Sequence, residues 1–76
     1  MNFIVIEEID SKGKSTIIGI SENMDISKYM INEYYGTHEI LGVEDIRESG
    51  IEYVYNIKFD KELYKIVFRD FKLNEI

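Results

Sequence analysis

Apolar and polar residues alternate with two different periods along this chain of 76 residues. Phe3 to Ile9 and Ser15 to Ile20 are short β-branched and apolar runs bounded by polar turn residues, which predicts two strands. From Met24 to Tyr35 the period lengthens. Met30, Ile31, Tyr34 and Tyr35 stand three, four, seven and eight positions after Ser27, the spacing of one helix face, and Ile26 extends it. Asn23 suits the N-cap, Asp25 lies near the positive end of the helix dipole, and Gly36 suits the left-handed position after the last turn.

Beyond the helix, Ile40, Leu41 and Val43 predict a strand with Gly42 as a bulge; a short helical turn over 43–48 is the alternative. Ile51 to Phe59 is the cleanest alternation. Ile51, Tyr53, Tyr55, Ile57 and Phe59 share one face, Glu52, Asn56 and Lys58 the other, and Val54 breaks the pattern. The "ESG" before it predicts a tight turn with Gly50 left-handed. A last strand is expected over 63–73, where apolar parity switches from Tyr64, Ile66 and Phe68 to Phe71 and Leu73. A slip of one residue turns every later side chain over, so the switch predicts a bulge near Arg69 and Asp70.

The expected fold is therefore α+β: a mainly antiparallel sheet of about five strands, in the order β-β-α-β-β-β, with one helix packed on one face, as a single small domain over 1–76. One helix covers one sheet face. Val54, Val67 and part of Phe3, Val5 and Ile17 are left for the other, where they either fill a partly curled sheet or form a self-association surface. A homodimer is among the expected states, because a chain this short buries only about 60% of its unfolded surface.

Composition narrows the function. The chain has no cysteine, hence no disulfide framework and no thiolate metal site, which fits a reducing cytoplasm. The start lacks a basic segment followed by a long apolar stretch, and no run approaches membrane-spanning length, so a cytoplasmic protein off the membrane is expected. Ala, Gln, Pro and Trp are also absent while Ile, Lys, Asn and Tyr abound, the skew of AT-rich genomes such as low-GC bacteria and their phages. The net charge of −6 resides in residues 20–52, which hold eight acids against Lys28 and Arg47. Without a basic stripe, the chain lacks the means of displacing counterions from nucleic-acid phosphates.

One motif invites nucleotide chemistry. "DSKGKSTII", residues 10–18, contains the "GKST" that ends a phosphate-binding loop. That loop requires a glycine five positions before Gly13, where this chain has Glu8, and a helix afterwards, where it has the strand-like "STIIGI". Asp10 and Gly13 instead suit a type I turn with a bulge, joining two antiparallel strands. Glu7, Glu8 and Asp10 do not suit a metal ion, since strand neighbours point to opposite faces. His38 is the only histidine; a catalytic role beside Glu39 ranks below a loop residue near the helix end. No cofactor is expected.

Two features remain. Glu44, Asp45, Glu48 and Glu52 cluster around Arg47, and six tyrosines, Tyr34 and Tyr35 among them, offer rigid area with a polar tip. The expectation is a non-enzymatic regulatory module, of the kind a phage or mobile element encodes as an inhibitor, docking an unidentified protein through Glu44, Asp45, Glu48, Glu52, Tyr34 and Tyr35. The alternative is a nucleic-acid-binding sheet using Lys65, Arg69 and Lys72.

Overall fold

The computed structural model describes residues 2–48 and 50–72. Leu73, which the apolar pattern assigns to the last strand, lies outside the described residues. Along the chain come β1 (Asn2–Ile9), β2 (Ser15–Ser21), α1 (Met24–Tyr35), β3 (Glu39–Glu48), β4 (Ile51–Phe59) and β5 (Glu62–Lys72). All five strands pair antiparallel in one sheet of order β2-β1-β5-β4-β3. Strands β1 and β5 thus meet at its centre, while β2 and β3, the two strands that α1 connects, form its edges.

Local chemistry sets the connections. In the β1–β2 turn the Asp10 carboxylate accepts from the Lys12 and Lys14 amides at 2.9 and 2.8 Å, and Gly13 N–H donates to the Asp10 carbonyl at 3.0 Å. Gly13 has φ 84°, the left-handed region that lacks a Cβ penalty only for glycine. At the start of α1 the Asn23 side chain accepts from the Ile26 amide at 2.9 Å, and Gly36 N–H closes the other end on the Asn32 carbonyl at 2.9 Å. Two buried hydroxyls fasten this helix to the sheet: Ser21 Oγ donates to the Asn23 carbonyl at 2.8 Å and shares a hydrogen bond with Ser27 Oγ. The β4–β5 turn is a two-residue loop with Asp60 at φ 49° and Lys61 at φ 67°, the double left-handed geometry that matches strand twist.

The core lies between α1 and the sheet. Ile4 and Ile6 of β1, Ile31 and Tyr35 of α1, Tyr55 and Ile57 of β4, and Ile66 and Phe68 of β5 are all buried. Met30 of the helix reaches over Gly19 on β2, where a Cβ would stand 2.7 Å from its flexible terminal methyl.

Four irregularities decide which side chains share a face. Ile18 is the extra residue of β2 against β1 and packs toward the core. On β3, Leu41 is extra between Ile40 and Gly42, and a second shift falls between Asp45 and Glu48, where Arg47 has φ 50°. The predicted bulge near Arg69 and Asp70 is absent: β5 keeps unbroken register with β1 from Lys65 to Lys72. The slip is on β4 at Glu52, between Ile51 and Tyr53. Phe71 therefore changes face relative to Phe68 by simple alternation, and it lies opposite Phe3 on the side away from the helix.

Candidate functional site

The acidic middle of the chain becomes an edge strand. Among the described residues β3 has one neighbour, β4, and its outer row of backbone groups has no strand beside it. Cross-strand pairing assigns each acid a side. Glu39 lies opposite Lys58 and Glu44 opposite Val54, the row of β4 that faces away from the helix, and Glu48 lies opposite Ile51. Ile51 in turn pairs with Arg69, which shares the helix-free face with Val67 and Lys65. The extra residue Leu41 thus brings Glu39 to the face of Glu44, five positions on, while Glu48, four positions further, shares that face by ordinary alternation.

Asp45 goes the other way. It pairs with Tyr53 on the helix side and joins a separate cluster. Arg47 Nε donates to Asp45 Oδ1 at 2.9 Å and Arg47 Nη2 to the Tyr53 hydroxyl at 3.0 Å. The Arg47 guanidinium and the Lys28 ammonium stand 5.8 and 5.4 Å from the Tyr53 ring centre. Both bases of the acidic middle are thus engaged at Tyr53, on the side away from Glu39, Glu44 and Glu48. Glu44 Oε2 accepts from Asn56 Nδ2 at 3.3 Å, and Glu52 occupies the bulge on β4.

The tyrosines separate further. Tyr34 is exposed and lines a groove with Ile18, Met30 and Glu33 on the β2 side of α1, at the opposite edge of the sheet from β3. Tyr35 is buried. Its hydroxyl donates to Glu8 Oε2, and its ring packs edge-on against Phe59 with centroids 5.2 Å apart. Burial first, then the hydrogen bond and negative charge of Glu8, hold its phenol proton far above the ordinary value. The six expected docking residues therefore do not form one surface. Glu44 and Glu48 stay together and gain Glu39, a residue that becomes visible only after the bulge at Leu41 is counted.

The basic residues of the alternative reading divide as well. Lys65 and Arg69 share the helix-free face, and Arg69 Nη2 lies 3.5 Å from Glu7 Oε1; Lys72, opposite Asn2, alternates onto the helix side. His38 is half-buried, its Nδ1 2.8 Å from the Gly36 carbonyl. A groove of about 600 Å³ runs beside the β1–β2 turn, lined by Ile9, Asp10, Leu41, Leu63, Tyr64 and Lys65 among others. Among the described residues, no group of three or more His, Asp or Glu side chains is placed to hold a metal ion, and no helix is long and apolar enough to cross a membrane.

Comparison with protein-family models, curated proteins and solved structures finds no match to this chain.

Proposed function

We propose that this chain is a non-enzymatic binding module that docks a protein through the acidic open side of β3, as a small cytoplasmic regulator or inhibitor. The observation supporting it is the row Glu39, Glu44 and Glu48 on one face of an edge strand, with Lys28 and Arg47 drawn to the other side by Tyr53. The partner is expected to present a basic strand or patch. An unpaired strand edge offers main-chain hydrogen bonds to an added strand. Carboxylates beside it steer a positively charged partner and exclude an acidic one. Leu41, half exposed beside the row, adds an apolar anchor. A protein of this size, acidity and composition suits a phage- or mobile-element-encoded inhibitor.

The test is affinity capture from host lysate with the wild type and a Glu39→Lys, Glu44→Lys, Glu48→Lys triple variant. A partner held by the wild type and lost by the variant supports the reading, and loss on raising salt is expected in parallel. A partner held equally by both overturns it. Oligonucleotide-induced NMR shifts confined to Lys58, Lys65 and Arg69 would replace it with the nucleic-acid reading.

A further inference from the structure

The helix-free face of the sheet is not uniform. Its β2-β1-β5 half carries Ile17 and Ile20 at 63% and 59% exposure, Phe71 at 52%, and half-buried Phe3 and Val5 between them. These five side chains, all apolar, line one shallow depression of about 360 Å³. β2 bears no charged residue from Ser15 to Ser21, and the charges flanking the depression, Glu7 and Arg69, pair with each other. The acidic row stands on β3, three strands away from β1.

We propose that this face is where two copies of the chain meet, with the two-fold axis running along β1. Such an axis stacks β1 on its counterpart and β2 on the partner's β5, so each apolar depression covers the other, the self-complementarity an isologous interface demands. Two sheets stacked face to face sit about 10 Å apart. Three strands ~4.8 Å apart and about seven residues of ~3.3 Å long present a footprint near 14 by 23 Å. Side-chain relief raises that to roughly 500 Å² per copy, about 1,000 Å² in all, the lower bound for a specific pair. The dimer is therefore expected to form at micromolar rather than nanomolar concentration.

Charge selects this axis. Two copies with net charge −6 repel, yet an axis along β1 sends the two β3 strands to opposite sides. Three strand spacings on each side separate them by about 30 Å, well beyond the screening length of about 8 Å at physiological salt. An axis across the strands would instead lay β3 on its counterpart, acid upon acid. In the chosen arrangement β4 and β3 overhang the partner, and both acidic rows remain open. The dimer stands on the apolar depression alone and does not depend on the docking role of β3.

Sedimentation velocity from about 5 to 500 µM tests the association, a range bracketing the affinity expected for an interface of this area. The wild type is expected to pass from 9.0 kDa to twice that mass. Ile20→Glu and Phe71→Glu, each at an exposed position, should stay monomeric with unchanged far-UV circular dichroism, while Val43→Glu on β3 should dimerise as the wild type does. Since the chain has no cysteine, Glu44→Cys can carry a single spin label, and the label-to-label distance should be about 30 Å from the strand spacing. A wild type that remains at 9.0 kDa throughout overturns the proposal, as do dimeric forms of both Glu variants. A distance near 10 Å, as in stacked β3 strands, or above 40 Å, as in edge-to-edge β2 pairing, overturns the axis.

Discussion

Replacing Tyr35 by Phe removes one hydroxyl from the core and leaves the ring against Phe59. At pH 7 the loss is one hydrogen bond to a carboxylate, and because Glu8 is only half-buried, water recovers part of it. About 1.5 kcal/mol is expected, the lower end for hydrogen bonds to charged groups. For a domain this small that lowers Tm by roughly 6–12 °C.

The pH dependence is the sharper part. The Tyr35 phenol is raised in the folded chain by burial and by Glu8, while in the unfolded chain it titrates near pH 10. Below pH 10 both states hold the proton, and the stabilisation is complete. Above it the unfolded chain releases the proton first, so wild-type stability falls by up to about 1.4 kcal/mol per pH unit. The variant lacks that loss. Urea unfolding at pH 7, 9, 10 and 11 should therefore show a gap of about 1.5 kcal/mol at pH 7 and 9 that closes toward pH 11. Tyr64, also raised by partial burial, titrates in both chains and cancels in the comparison. A gap that stays constant from pH 7 to 11 would refute the account of how Tyr35 holds its proton.

Two other substitutions probe the scaffold. Ile57→Ala, at a fully buried position, should cost about 2–5 kcal/mol in urea unfolding, and a cost under 1 kcal/mol would mean the site is not packed as described. Lys61→Gly should raise stability by up to about 1 kcal/mol, because Lys61 occupies a left-handed position of the two-residue turn where a side chain is strained; a loss of stability would contradict that turn geometry.

Much of the fold was legible because its signals are local. The helix runs from Met24 to Tyr35 as the period of its apolar face and the caps at Asn23 and Gly36 predict, and Ile51 to Phe59 forms the strand its alternation predicts. The turn on Asp10 and Gly13 is present in place of a phosphate loop. Strand order was not legible, since nothing short-range says that β1 lies beside β5. Bulges were half legible. Gly42 marks its neighbourhood, but the switch between Phe68 and Phe71 is ordinary alternation onto a second, exposed apolar face rather than a kink.

The candidate site was harder to read. Glu44 and Asp45 are neighbours in sequence and point to opposite sides of a strand, so an acidic cluster along the chain is not one in space. Glu39 joins Glu44 and Glu48 only through the slip of register at Leu41, whose effect on the acids the spacing along the chain does not announce. Tyr35 shares helical spacing with Ile31, and that spacing made it core.

The central pairing of β1 with β5 carries a kinetic consequence. The β1–β2 hairpin with its helix, and the β3–β4–β5 meander, can each form from nearby residues, but the seam between them joins the earliest strand to the last. Closing that seam bears the entropy of nearly the whole intervening chain before any contact across it forms. During synthesis β1 therefore leaves the ribosome long before its partner, and its inner edge stays unpaired until β5 follows. Folding should be slow for so small a protein, in the millisecond-to-second range of sheets built on distant pairings. The vulnerable species in the cell is then the half-made chain, which offers Ile4, Ile6 and an open edge to whatever strand arrives first.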